Sequence, residues 1–258
     1  MDHAALRALF DRQLRLGARP DGPGARVERD GRVVRQTGPV HAWNGVLWSG
    51  LRERDADEAI AGQIRHFTEH GLPFEWKVYG HDGPADLVAR LLAAGFTAED
   101  PETVMVAEAA TLPTSVDLPE GVELVPVTDA AGVKLVTEVH DRAFGGDSSH
   151  LGRQLLDQLA ATPDTVAAVL AMAGDEPVSA ARLELYPGTD FAGLWGGGTV
   201  EPWRGKGLYR ALVAFRTRIA LERGHRFVQV DAAETSRPIL ERLGFAALTT
   251  TTPYVYVP

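Results

Sequence analysis

Residues 194–220 read LWGGGTVEPWRGKGLYRALVAFRTRIA and divide into a strand, a short basic loop and a helix. The strand is expected over Phe191–Val200 and is broken by Glu201-Pro202-Trp203, because proline cannot donate to a sheet ladder. Arg204-Gly205-Lys206-Gly207 forms the loop. Leu208, Ala211, Leu212, Phe215 and Ile219 then recur at helical spacing. Glycines let a backbone approach a ligand closely, and the first N–H groups of a helix point outward unpaired. Those donors and the helix dipole favour phosphate, and Arg204 and Lys206 add positive charge. The stretch therefore reads as a pyrophosphate cradle over Gly205, Lys206, Gly207, Leu208, Tyr209 and Arg210. An ordinary strand-to-helix turn with solvated cations is the plainer alternative.

The run Val200-Glu-Pro-Trp-Arg-Gly-Lys-Gly-Leu-Tyr-Arg210 resembles the coenzyme A motif of the GNAT superfamily of acyl-CoA-dependent N-acetyltransferases. That motif, Gln/Arg-x-x-Gly-x-Gly/Ala, maps onto Arg204, Gly207 and Tyr209. Tyr209 stands where glycine or alanine is usual. Pro238-Ile-Leu-Glu-Arg-Leu-Gly-Phe245 is similar to the family's helix ending in Leu-Gly-Phe. A dinucleotide fingerprint fits less well, since Arg210 occupies the third glycine's place and too little chain follows Asp231. A Walker loop is excluded because glycine follows Lys206.

The chain has 258 residues, 45% of them apolar, enough for one large domain or two small ones. Its formal charge of −9 argues against nucleic acid, which needs a basic face. There is no cysteine, so thiol catalysis, disulfides and cysteine metal sites are absent. His66 and His70, four apart, read as a surface helix face, and no metal site is expected. The charged N-terminus has no apolar signal core, and no apolar run is long enough to span a bilayer. A cytoplasmic protein without membrane contact is the expectation.

Along the chain, helices are expected over Ala4–Leu16, from Asp55 to Gly71 and over Pro84–Ala94. Strands are expected at Arg32–Gln36, His41–Leu51, Phe74–Tyr79 and Thr103–Ala107. Thr111–Glu120, with two prolines and no periodicity, is the best linker. Beyond it come a strand at Gly121–Val127, helices at Ala130–Phe144 and Leu151–Ala160, and a strand pair at Val166–Ala173 and Pro177–Tyr186. After the basic loop and its helix follow a strand at Arg226–Asp231, a helix at Ser236–Leu243 and a terminal strand at Ala246–Val257 that finishes the sheet. Leu91–Phe96 and Leu240–Phe245 both close a helix on Gly-Phe. A mixed α/β fold of two GNAT-like domains follows. Residues 1–112 form a degenerate copy without a coenzyme loop, and 119–258 form the acyltransferase copy. Each is a mostly antiparallel sheet with flanking helices, and the second carries one parallel strand pair.

The resemblance implies that Phe191–Val200 and Arg226–Asp231 splay apart at their carboxyl ends. The pantetheine arm of acetyl-CoA would pair with backbone near Thr199 and Val200, and an N–H near Val200 would hold the oxyanion. The acceptor is a small-molecule or peptide amine that attacks the thioester directly. Its proton must be removed first, and Glu184 and Asp231 are the candidate bases. Family members place a proton-donating tyrosine where this chain has Leu240. Ser236 is the first substitute, although serine there is equally credible as a helix N-cap, with Tyr254 and Tyr256 as fallbacks. Trp195, Phe144, Trp43 and Trp48 are candidate aromatic walls of the acceptor pocket. The alternative function is a non-catalytic acyl-CoA-binding regulatory module.

Overall fold

The computed structural model describes residues 2–258. They group into two compact units. The first runs to Val104 and also takes Asp231–Glu234 and Ala247–Pro258, and the second holds Met105–Val230 and Thr235–Ala246.

The first unit opens with helix α1 (His3–Phe10), capped by the Asp2 carboxylate, which accepts from the Ala4 and Ala5 amides at 3.0 and 3.3 Å. The expected single helix to Leu16 instead widens into a π-turn over Asp11–Leu16. There Arg15 is buried, with both oxygens of Asp82 on its guanidinium and the Tyr79 ring 3.8 Å away. Strands β1 (Arg26–Asp30), β2 (Val33–Thr37) and β3 (Gly45–Ser49) follow. The strand expected from His41 begins only at Gly45. Asn44 locks the preceding residues into a turn, accepting from the Gly38 amide and donating to the carbonyls of Pro39 and Ala42. Helix α2 (Glu53–Glu69), strand β4 (Phe74–Tyr79), helix α3 (Leu87–Ala93), the short β5 (Thr97–Ala98) and the start of β6 (Glu102–Glu108), up to Val104, complete the run.

The second unit holds β7 (Val122–Val127), α4 (Ala130–Phe144), α5 (Ser149–Ala161), β8 (Val166–Ala173), β9 (Glu176–Leu185), β10 (Phe191–Thr199), α6 (Leu208–Glu222), β11 (Phe227–Ala232) as far as Val230, and α7 (Arg237–Leu243). The last strand, β12 (Ala246–Tyr256), pairs antiparallel with β4, Thr251 opposite Tyr79 through to Tyr256 opposite Phe74. The terminal strand thus extends the first unit's ladder. Its burial follows no strict alternation, so local pattern could not choose the partner.

Both units are mixed α/β. In the first, β1-β2-β3-β4-β12 are successive neighbours, antiparallel except for β3 and β4. Its core joins Phe67 stacked on Phe74 at 4.2 Å with Trp76, Leu91 and Phe96. In the second, β11-β10-β9-β8-β7 are successive neighbours, all antiparallel except β10 with β11. Alternate residues of its strands face opposite ways. Ala168, Leu170, Val178 and Ala180 pack with Val133, Val136 and Val139 of α4, whereas Val169 and Ala181 pack with Leu212 of α6.

The two Gly-Phe helix ends are built alike. Gly95 and Gly244 take φ of +96° and +104°, and the next amide bonds five residues back, Phe96 to Leu91 and Phe245 to Leu240. Only glycine holds that left-handed position cheaply, and both leucines are fully buried. No helix among the described residues is long and apolar enough to cross a membrane.

Candidate functional site

Strands β10 and β11 pair in parallel at only three positions: Phe191 with Phe227, Ala192 with Val228, and Gly193 with Gln229. Beyond Gly193, β10 keeps its antiparallel neighbour β9 alone. Its register there slips between Trp195 and Gly198, leaving Gly196 and Gly197 opposite Ala181 in a bulge. The sequence supplies three consecutive glycines for this stretch because each carries a ring against its backbone. A Cβ would stand 2.9 Å from His140 at Gly196, 3.0 Å from Tyr209 at Gly197 and 2.7 Å from Phe144 at Gly198. The carbonyl of Gly196, turned out by the bulge, accepts from His140 Nε2 at 2.8 Å. Those of Trp195 and Arg182 accept from the guanidinium of Arg216. Arg216 is fully buried without a carboxylate, and burial pulls its pKa down to about 10.

The coenzyme loop follows. A 3₁₀ turn over Glu201–Trp203 leads to Gly205 and Gly207, with φ of +76° and +88°, and α6 starts at Leu208. No side chain caps this helix. Among the described residues, the amides of Gly205, Lys206, Gly207, Leu208, Tyr209 and Arg210 meet no acceptor, and the first amide of the helix ladder is Ala211, bonded to the Gly207 carbonyl. Lys206 rests 4.3 Å over the Trp203 ring, and Arg210 reaches back beside Gly207. Neither makes an ion pair with a described residue.

Arg204 donates from Nε to the Thr199 carbonyl at 3.1 Å and from Nη2 to that of Ala143 at 2.9 Å, leaving Nη1 without a bond to a described residue. It ties the end of β10 to the end of α4. The Val200 amide donates to the Val178 carbonyl at 3.0 Å and has nothing left for an oxyanion. Thr199 uses its hydroxyl on Ser179, which in turn donates to the Gly198 carbonyl. Leu208 is a core residue beside Val200.

Where the strands part, polar side chains gather over Gly193. Its Cβ would fall 2.4 Å from both Trp195 Nε1 and the Tyr186 hydroxyl, and 3.1 Å from Gln229 Nε2. Trp195 Nε1 donates to the Tyr186 hydroxyl at 3.0 Å, and Tyr186 donates to Glu184 Oε2 at 3.2 Å. Arg182 Nε holds Glu184 Oε1 at 3.2 Å. Glu184, directly across from Gly193 on β9, therefore has a fixed carboxylate at the fork. Gln229 is buried with its Oε1 unpartnered. Tyr186, Gln229, His140 and Arg216 were not legible as site residues, and the three-glycine run was the one available signal.

Asp231 lies in the first unit, its carboxylate held by Lys77 and almost wholly buried. Burial alone would lower the Lys77 pKa, but Asp231, Tyr79 and Glu75 outweigh it and hold the ammonium well above its usual range. Glu75, bonded by Trp43 Nε1 at 2.8 Å, is raised by burial. Glu102 is pushed up to about 7, by burial first and then by the charge of Asp231. Asp231 is thus a charge partner inside a carboxylate cluster. Trp48 covers Gly50 in the same unit. Ser236 stands at the N-cap of α7 but its side chain makes no cap bond. Tyr254 is a core residue and Tyr256 packs on Phe74 and Phe96.

The first unit repeats the strand–helix–strand arrangement with β3, α2 and β4, its parallel pair joined at Gly45–Glu75 and Val46–Trp76. The first turn of α2, however, carries Glu53 and Asp55, which repel phosphate.

No family sequence model matches the chain, and no curated protein matches it in sequence. Solved structures do match. A GCN5-related N-acetyltransferase from Kribbella flavida superposes over 100% of this chain and 96% of its own, with a TM-score of 0.72 at 18% identity. A tandem GNAT protein from the clavulanic acid biosynthesis pathway covers 91% and 84%, with 0.62 at 16%. A GCN5-related N-acetyltransferase from Sphaerobacter thermophilus covers 89% and 81%, with 0.61 at 14%. The chain has the GCN5-related N-acetyltransferase fold.

Proposed function

We propose that this chain is an acyl-CoA-dependent N-acyltransferase that moves an acetyl group from acetyl-CoA to a primary amine. One observation carries the reading. Six consecutive amides at the mouth of α6 lack acceptors, beside a strand pair that parts after three residues. Donors of that number and direction fit a diphosphate, and the stretch of β10 that has no β11 partner leaves room for an amide-bearing arm. The match of donors to ligand is thus made by backbone, with Lys206 and Arg210 as the free cations.

Within this reading, Glu184 takes the proton of the acceptor ammonium, directly or through a water. An alkyl ammonium has a pKa of about 10 and cannot attack until that proton leaves. Arg182 and Tyr186 fix the orientation of the Glu184 carboxylate. The amides of the Gly196–Gly198 bulge are the candidate oxyanion donors in place of Val200. No side chain acts as a nucleophile, so the protein supplies position, proton transfer and electrostatics. Residues 1–112 are read as a degenerate copy that binds no coenzyme, which the acidic start of α2 supports.

The test is a thermal-shift comparison of coenzyme A, acetyl-CoA and longer acyl-CoAs, joined to thiol release across an amine panel. At a hundredfold excess over Kd, acetyl-CoA stabilises by about 2.7 kcal/mol, a rise of roughly 5–10 °C. Binding with amine-dependent thiol release is expected. Absence of any shift refutes the cradle, and binding without turnover refutes the enzyme in favour of an acyl-CoA-sensing module.

A further inference from the structure

Arg216 lies on the buried side of α6 without a counter-charge. Its side chain is fully buried, and no carboxylate pairs with it among the described residues. A buried cation left alone is costly, and an apolar side chain of that size would avoid the cost. The bonds it makes all end on backbone carbonyls. Nε donates to Leu212 in its own helix at 3.0 Å, and Nη1 donates to Arg182 at 3.0 Å and to Trp195 at 3.3 Å.

Arg182 and Trp195 are the last pair before β10 slips its register against β9. One guanidinium nitrogen thus clips the two strands together where the bulge begins. The next carbonyl, that of Gly196, is taken by His140 Nε2 from α4 at 2.8 Å. Helices α4 and α6 pack on opposite faces of this sheet, so the two successive carbonyls are held from opposite faces. Gly196 between them has φ of +57°, a conformation that costs glycine little. It also stands outside the register of both β9 and β11. The Trp195 carbonyl and the Gly196 amide belong to one peptide unit, and a trans unit points its C=O and N–H in opposite directions. With the carbonyl on Arg216, the Gly196 N–H points away from the guanidinium.

We propose that Arg216 is a positioning residue for acyl transfer, fixing the Trp195–Gly196 peptide so that the Gly196 amide is the donor presented to the thioester carbonyl. This rests on the acyltransferase reading and picks one amide out of the bulge. Arg216 acts through the peptide and not on the substrate. A cation on the carbonyl oxygen polarises the whole unit, which makes its N–H a stronger donor. A carboxylate beside Arg216 would cancel that polarisation, so the missing counter-charge fits the role. His140 holds the following peptide as a neutral ring, since burial lowers its pKa. Arg216 is therefore the one formal charge bonded to the Trp195–Gly198 backbone among the described residues.

The sequence offers a direct test, because Trp195-Gly196 is its only Trp-Gly pair. Whole chain grown with carbonyl-labelled tryptophan and nitrogen-labelled glycine gives a single carbonyl-correlated amide resonance, that of Gly196. It is read with and without S-acetonyl coenzyme A, whose ketone stands in for the thioester carbonyl and cannot be transferred. In the native chain the Gly196 proton should move downfield on binding, the mark of a hydrogen bond gained. Arg216→Met should bind the analogue within about threefold of native and lose that shift. Its kcat should fall by about 10- to 100-fold, part of what a lost oxyanion donor costs, with KM for acetyl-CoA held within about threefold. Arg216→Lys keeps the charge and should recover most of the kcat. Native kcat in Arg216→Met overturns the proposal, and so does a deficit that Arg216→Lys shares in full or that appears in KM, since each marks a packing role. A native Gly196 resonance that stays in place while the analogue binds overturns it too, and that spectrum decides the matter even if both variants fail to fold. A native chain that binds neither coenzyme A nor the analogue refutes the acyltransferase reading itself, whereas binding and turnover without a Gly196 shift refute this proposal alone.

Discussion

Replacing Gly207 by valine tests the cradle at the atom level. Gly207 holds φ of +88° immediately before the first residue of α6. Valine there is strained by about 1–2 kcal/mol or more, because its Cβ crowds the following carbonyl. The neighbourhood is not the obstacle. The nearest atom to a new Cβ is Arg210 Nη2 at 3.3 Å, the free end of a flexible side chain. The loop relieves the strain by rotating to negative φ, which swings the amides of Gly205–Tyr209 off their common target. Losing two charge-assisted hydrogen bonds costs roughly 3–6 kcal/mol, or on the order of 10²- to 10⁴-fold in affinity. The strain alone lowers Tm by roughly 2–8 °C. Gly174→Val is the matched control, with φ of +60° in the β8–β9 hairpin and open space around its Cβ. Calorimetry with coenzyme A should show both variants folded and only Gly207→Val deaf to the ligand. If Gly207→Val binds coenzyme A within about threefold of native while losing as much Tm as Gly174→Val, the cradle is refuted.

Glu184→Gln should reduce kcat by about 10²- to 10³-fold at neutral pH, with the deficit shrinking as pH approaches the amine's own pKa of about 10. A pH-independent deficit would assign Glu184 to structure instead. Asp231→Asn leaves Lys77 buried without its main counter-charge, a loss of about 3–5 kcal/mol, toward the lower end because Glu75 also faces it. Differential scanning calorimetry should register that drop while the folded fraction keeps its kcat. Native Tm with abolished turnover would instead make Asp231 the base. Glu102 keeps its proton to about 7 when folded but releases it near its ordinary 4.5 when unfolded. Its stabilising contribution is whole below about 4.5 and disappears as pH climbs through about 7. Glu102→Gln should accordingly gain Tm over native at pH 8, the gain fading toward pH 4.5. A Tm difference that does not vary with pH contradicts the shift.

Much of the fold was legible because the deciding signals are local. Glycine-phenylalanine endings marked α3 and α7, and α4 fell at its expected residues, Ala130–Phe144, because Asp129 caps it and Val133, Val136 and Val139 form one stripe. Less was legible at the site. Arg204 is the cation a motif reader would give to phosphate, yet its Nε and Nη2 go to the carbonyls of Thr199 and Ala143. Ser236 occupies a cap position without capping, its side chain lying beside Tyr209. Both outcomes depend on which distant group arrives, and nothing within a few residues encodes that.

The sequence by itself determined the glycine-bearing basic loop, the helix behind it and the order of strands and helices around it. Each of these follows from φ restrictions, unpaired helix amides and apolar spacing, which act over a few residues. Only the tertiary structure decided where β11 leaves β10, that β12 joins β4, that the Val200 amide is spoken for, and that Asp231 answers to Lys77. Those are contacts between segments far apart in the chain. They are settled by which pairing buries the most apolar surface and leaves the fewest polar groups without partners, a condition that the whole fold meets and no single stretch can express.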